Sequence, residues 1–141
     1  MEWYEEYNIG VDLIDHQHRE LFKRVSRLQE ALSSGAVNSE IAEMLKFLVA
    51  YTNQHFQDEE KVMASIAFAE LANHRKMHEN LTTDVRNILI DLKKGKKIHP
   101  YELIDFLSDW LLNHIRYEDK KIGRALDERQ RQRRTWDGSF A

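Results

Sequence analysis

The chain has no cysteine, one proline and five glycines in 141 residues. Without cysteine it has neither disulfides nor thiolate metal sites. Scarce proline and glycine leave long stretches free of helix breakers, and abundant Leu, Glu, Lys, Arg and Gln favour an all-α domain. No apolar run approaches the roughly 20 residues that a bilayer span needs. The acidic start, MEWYEEYNIG, lacks the basic-then-apolar shape of a signal peptide. The default location is therefore cytoplasmic, with no membrane partner. A formal net charge of −3 is too small to point to nucleic acid. The length suits one domain with a real core.

What is present is periodicity. An arm, residues 1–11, carries Trp3, Tyr4, Tyr7 and Ile9 and is expected to lie across the rest. A first helix runs from about Asp12 to Ser34 with Leu21, Phe22, Val25, Leu28 and Leu32 on one stripe, and Gly35 offers a left-handed stop. A second helix starts at an Asn38–Ser39 cap and reaches about Ala64, with Ile41, Leu45, Leu48, Tyr51 and Thr52 inward. The third covers about Ala69 to Lys94 and ends in KKGKK. Pro100 suits the first turn of a fourth, with His99 as its cap. That helix holds Leu103, Phe106, Leu107, Trp110, Leu111 and Ile115 and has room to run past Leu126. Short connections between long helices imply an antiparallel up-down-up-down four-helix bundle over residues 1–126. The basic tail, 127–141, reads as a frayed helix end and a mobile segment. Its Trp136 and Phe140 could dock on the bundle or a partner, and it could root a linker to another domain.

Seven histidines are present: His16, His18, His55, His74, His78, His99 and His114. Singly, each is more readily structural or exposed than a ligand. The topology changes that. His18 lies near the start of the first helix, and His55 and Glu59 near the end of the second. His74 and His78 lie near the start of the third, and His114 and Asp119 in the later part of the fourth. In an up-down bundle these positions fall within about two turns of one another, at a rise of about 1.5 Å per residue. Each unsatisfied buried polar group costs roughly 1–3 kcal/mol. Seven of them rival a whole domain's stability of roughly 5–15 kcal/mol, so they need a common partner. A metal centre accepts neutral imidazole and ionised carboxylate together. Five imidazoles, two bridging carboxylates and one bridging oxo or hydroxo group fill eleven of the twelve positions of two octahedral ions. One position stays open, as a reactive site requires. Zinc fits this count poorly, whereas mixed imidazole and carboxylate donors suit iron.

The stretches GVDLIDHQHRELF, HFQDEEKVM, HRKMH and WLLNHIRYED, in that order over about residues 3–120, resemble the hemerythrin family and its single-domain bacterial members. The resemblance implies a di-iron centre with a bridging oxo or hydroxo group and dioxygen as partner. It assigns His18 and His55 to one iron, His74, His78 and His114 to the other, and Glu59 and Asp119 as bridges. The open position would be on the two-histidine iron. His16 and His99 have no role in the pattern and read as surface residues. Spacing alone would choose Glu118, four after His114, because Asp119 at five stands about 140° round an ideal helix. Following the family therefore requires a π-type distortion between His114 and Asp119. Relatives often carry Tyr-Pro where this chain has Phe68-Ala69, which alters how the third helix starts.

Neighbours at helical spacing from the ligands, Phe22, Met63, Leu111 and Ile115, form a candidate apolar dioxygen pocket. No carboxylate, tyrosine or lysine is evident beside it to deliver protons for O–O cleavage. The expected function is reversible dioxygen binding for transport, storage or sensing, without enzyme activity. The alternative is a di-iron peroxidase, oxidase or nitric-oxide reductase on the same scaffold. Ferritin-like oxidases need Glu-x-x-His motifs, and none of the fourteen glutamates is followed by histidine at that spacing. The chain also has no His-Asp dipeptide of the kind that metal phosphohydrolases use.

Overall fold

The computed structural model describes residues 1–139, with side chains through Arg134. The Trp136 side chain and Phe140 lie outside the described residues. Among those described, every regular element is helical: α1 (Asp12–Ser33), α2 (Asn38–Ser65), α3 (Leu71–Lys93), α4 (Pro100–Asn113) and α5 (Lys120–Ser139). A π-helical segment, His114–Asp119, joins α4 to α5 in one rod, so the bundle has four arms. A 3₁₀ turn, Glu5–Tyr7, interrupts the N-terminal segment. α2 packs against α1 and α3, and α1 also packs against α4. Cross-helix pairs fix the register: Gln17 meets Asp58 and Arg24 meets Tyr51, while Glu59 meets His74 and Phe56 meets His78. Both pairings run antiparallel, giving the up-down-up-down bundle.

Turn chemistry decides where the helices stop. Gly35 and Gly95 take the left-handed conformation, and the next amides, Ala36 and Lys96, donate back to the carbonyls of Ala31 and Asp91. α2 ends the same way, with Phe68 N–H donating to the Met63 carbonyl. Its left-handed residue is Ala67, at φ 50°. Alanine pays a Cβ penalty there that glycine avoids. This turn moves the start of α3 to Leu71, two residues beyond the sequence expectation. The expected Asn38–Ser39 cap is not formed either. Val37 occupies the cap position, and the Asn38 amide donates across to the Lys96 carbonyl instead. His99 stands at the α4 cap position without a side-chain cap bond. Tyr51 and Thr52 are only half-buried. α5 continues through Ser139, further than the loss of its apolar stripe suggests, with residues 127–134 exposed all round.

Among the described residues the interior has two apolar clusters. The larger runs from Phe22 and Phe56 to Leu28, Leu45, Leu92 and Leu103. The smaller comprises Ile9, Ile14, Met63 and Ile122. By chain position, the layer of predicted ligands lies between them. The N-terminal segment closes the smaller cluster. The buried Asp15 carboxylate accepts the Ile9 and Gly10 amides at 2.7 and 3.2 Å, and Lys120 donates to the Asn8 carbonyl at 2.9 Å. Gly123 lets the α5 backbone approach, since a Cβ there would stand 3.0 Å from the Ile9 carbonyl oxygen. Tyr7 and Ile9 are buried and Trp3 half-buried, but Tyr4 is 51% exposed rather than folded onto the bundle.

Candidate metal centre

All seven predicted ligand residues are buried, and they meet. Their ligand atoms form two overlapping groups, each with its atoms within 4.8 Å of one another. One holds Glu59, His74, His78, His114 and Asp119, and the other His18, His55, Glu59 and Asp119. Glu59 and Asp119 belong to both. Glu59 turns Oε1 to the first group, 2.6 Å from His74 Nε2 and 3.2 Å from His78 Nε2. It turns Oε2 to the second, 3.3 Å from His18 Nε2 and 3.2 Å from His55 Nε2. Asp119 divides likewise, with Oδ1 3.0 Å from His74 and 3.2 Å from His114, and Oδ2 3.0 Å from His18. Each carboxylate thus offers one oxygen to either side.

Asp119 reaches the layer because the helix is underwound there. In the π-helical segment the Lys120 amide donates to the carbonyl of Ile115, five residues back. This geometry brings residues five apart onto one face. The expected distortion between His114 and Asp119 is present. Glu118, which ideal spacing would favour, points outward and pairs with Lys121 at 3.3 Å. His16 and His99 are exposed, away from the layer.

Hydrogen bonds fix which imidazole nitrogen carries the proton. The Gln17 amide nitrogen donates to Asp58 at 2.8 Å, so its carbonyl oxygen must accept from His55 Nδ1–H, also at 2.8 Å. His55 Nε2 is left with a lone pair facing Glu59. His78 Nδ1 faces the Glu60 carboxylate at 3.3 Å, and that carboxylate also accepts from Arg75 Nε at 2.7 Å. A carboxylate can only accept, so Nδ1 holds a proton, and Nε2 is turned inward. Burial lowers the His55 pKa further, and its ring is neutral. Two acceptors therefore face each other about 3 Å apart with no proton between them. This is repulsive unless a cation sits there.

The remaining contacts agree. His74, His78 and His114 bring their Nε2 atoms together, with His114 3.0 Å from His74 and 3.1 Å from His78. Buried and unpartnered are both ring nitrogens of His18, Glu59 Oε2 and both Asp119 oxygens. His18 Nε2, Glu59 Oε2 and the Asp119 oxygens lie close to their neighbours without hydrogen-bond alignment, as atoms do that point at a shared centre. Without metal, burial opposes protons on His18, His74 and His114, but the facing Asp119 and Glu59 carboxylates overcome it and push all three up to about 9. Burial also pushes the two carboxyls up, and the surrounding imidazoles more than reverse it, holding both well below the usual carboxylate range. Protons thus stand in for the cation, and metal uptake must release them. The donor set fits a hard or borderline metal with imidazole and carboxylate ligands.

Aromatic rings brace the imidazoles from outside. Phe56 stacks on His78 with centroids 3.7 Å apart, and Trp110 on His114 at 4.4 Å. A cavity of about 40 Å³ opens beside the layer, lined by His18, His55, His114, Asp119 and mostly aliphatic side chains, including Leu21, Val25 and Leu107. Of the four residues expected to form the pocket, Leu111 and Ile115 line it. Phe22 does not; its ring packs edge-on against Trp3 at 5.2 Å. Met63 lies in the smaller cluster on the other side of the ligands. Sequence reasoning missed Gln17, Asp58, Glu60 and Arg75. The available signal was their position next to, or one turn from, a ligand on the same helix.

A four-helix bundle carrying five histidines and two carboxylates in one buried layer defines a class of non-haem metal protein. Residues 9–126 match the family model described as the hemerythrin HHE cation binding domain. The chain is 34% identical over 118 residues to a bacteriohemerythrin of Stenotrophomonas maltophilia, covering 84% of this chain and 76% of that one. It is 30% identical to a bacteriohemerythrin of Campylobacter jejuni, covering 84% of this chain and 89% of the relative. A crystal structure of wild-type hemerythrin superposes with a TM-score of 0.82 at 31% identity, covering 89% of this chain and 97% of that one. The chain belongs to the hemerythrin family. Among its described residues, no helix is long and apolar enough to cross a membrane.

Proposed function

We propose that the chain binds dioxygen reversibly at a di-iron centre. His18 and His55 would hold one iron, His74, His78 and His114 the other, and Glu59 and Asp119 would bridge them. When bound, the iron pair supplies the electrons that dioxygen takes up and returns, as the family resemblance implies.

The observation that carries reversible binding over reductive chemistry is the fate of the hydroxyl protons around the cavity. Cleaving an O–O bond needs a positioned proton donor. Among the described residues, and apart from the ligands themselves, the lining contains no lysine, tyrosine or further carboxylate. Its two hydroxyl groups are already committed: Thr52 donates to the Leu48 carbonyl at 2.7 Å and Thr82 to the His78 carbonyl at 2.9 Å. Leu21, Val25, Leu111 and Ile115 exclude water from the same space. The chain's residues thus orient the ligands, shed water and withhold protons.

Anaerobic reduction followed by admission of air tests this. Two irons per chain, with visible absorption that appears with air and fades when dioxygen is removed, are the expected result. Two irons with immediate irreversible oxidation would replace carriage with redox catalysis, and steady turnover of peroxide or nitric oxide would identify the enzyme.

A further inference from the structure

We propose that Trp3, Tyr7 and Tyr4 form an exit route by which oxidising equivalents leave the metal centre for the protein surface. The inference rests on reading the buried cluster as a redox-active iron centre. Its basis is a run of oxidisable rings. Trp3 lies 6.4 Å from the His18 ring, Tyr7 lies 5.4 Å from Trp3, and Tyr4 lies 5.5 Å from Tyr7, all centroid to centroid. The run starts beside a ligand, passes through the buried Tyr7 and ends at Tyr4, which is 51% exposed. Indole and phenol give up an electron far more readily than the phenyl ring of Phe22, which also touches Trp3.

The surface end is equipped to keep the vacancy. A tyrosine that loses an electron must shed its phenolic proton, and Tyr4 O–H donates to the Glu2 carboxylate at 3.2 Å. The Arg19 guanidinium lies 5.8 Å over Trp3 and disfavours a positive charge resting on the indole. The stable resting place is therefore the neutral tyrosyl at Tyr4. On the opposite side, Trp110 stacks on His114 and contacts Phe56, and no tyrosine ring contact continues that path among the described residues.

Hydrogen peroxide arriving at the oxidised centre is the event that needs such a route. Its O–O bond breaks as it takes two electrons, and two protons from solvent, to become two waters. One electron leaves Trp3 for the centre. The vacancy crosses from Trp3 to Tyr4 with the Tyr7 ring as a bridge rather than a stop, so Tyr7 keeps its proton, and the Tyr4 phenolic proton moves to Glu2. A soluble thiol then gives an electron to Tyr4 and its own proton to solvent, and Glu2 returns the phenolic proton. A second passage completes the reduction, and the two thiyl radicals couple to a disulfide. A cavity so short of proton donors makes the event infrequent, so the route discharges accidents rather than sustaining turnover.

The test loads the full chain with iron, measures iron per chain, oxidises it fully and adds peroxide without reductant. Freeze-quenched electron paramagnetic resonance should show a tyrosyl signal, and peptide mapping by mass spectrometry should place covalent oxidation on Trp3 and Tyr4. Tyr4→Phe should abolish the tyrosyl signal and raise oxidation of Trp3 several-fold. Trp3→Phe should lower radical yield several-fold and move the marks to Trp110 and the ligand histidines, at unchanged iron content. Trp3→Tyr, which keeps an oxidisable ring, should retain the route if the phenylalanine variant folds poorly. Iron-loaded protein marked only at Trp110 or the histidines, or variants indistinguishable from the parent, would overturn the inference alone. A chain that takes up no iron would overturn the site reading as well.

Discussion

The ligand layer and the long apolar cluster beneath it are equally buried yet held together by opposite means. Around Leu28 and Leu45, aliphatic side chains lose water and gain dispersion contacts, and each contributes whether or not anything else is bound. Around Glu59 and Asp119, burial by itself is unfavourable, because the lone pairs of His55 Nε2 and Glu59 face one another at about 3 Å. That layer becomes stable only when a cation, or a set of protons in its place, sits at the centre. One end of the bundle therefore folds for its own sake and the other for its cargo.

The sharpest way to break this contrast is Glu59→Ala. It removes a donor from both groups and should abolish metal loading, read as metal per chain by elemental analysis. Full loading in that variant would refute the bridging arrangement. Leu45→Ala, at a fully buried position of the apolar end, should cost about 2–5 kcal/mol in denaturant unfolding and leave metal content unchanged. A loss of metal there would show that the two regions are not separable.

The metal-free protein should expose the layer through pH. His18, His74 and His114, raised from 6.5 to about 9, stabilise the fold fully below their ordinary value and stop doing so as pH rises through 9. Glu59 and Asp119, lowered, contribute above their ordinary 4.5 and 3.8 and lose that as pH falls. Melting of the metal-free chain should therefore peak between about pH 4.5 and 6.5 and decline toward pH 9. The metal-loaded chain, whose ligands have already shed their protons, should lack the alkaline decline. A flat profile without metal would contradict the proton-for-metal exchange.

Gln17→Leu tests the tautomer argument. Losing the acceptor for His55 Nδ1–H should weaken metal affinity roughly 10–100-fold by competition with a chelator, with little change in the apolar end. The smallest effect belongs to a turn. Ala67→Gly relieves the left-handed alanine and should stabilise the protein by about 0.5–1 kcal/mol, measured by thermal melting. A destabilised variant would mean that the Ala67 methyl contributes packing that outweighs its strain.

Much of this was legible in the residues. Helical periodicity placed α1 within one residue at its C-terminal end, and glycines at 35 and 95 marked two of the stops. The third stop was hidden because Ala67 does what glycine usually does, so α3 was read two residues early. The cap at Asn38 failed for a tertiary reason, since Asn38 found the Lys96 carbonyl instead. At the site, the choice between Glu118 and Asp119 came from family resemblance against ideal spacing. The underwound π turn explains why the family pattern can work.

By itself the sequence determined four amphipathic helices, their short connections and a layer of histidines and carboxylates at one end. Those follow from local periodicity and from a rise per residue that every helix shares. Only the tertiary structure decided which carboxylate oxygen faces which histidine group, which imidazole nitrogen carries the proton, and that Met63 and Phe22 stay out of the cavity. Those depend on contacts between helices at ångström precision. A sequence pattern specifies which face a residue occupies, but not what it meets there.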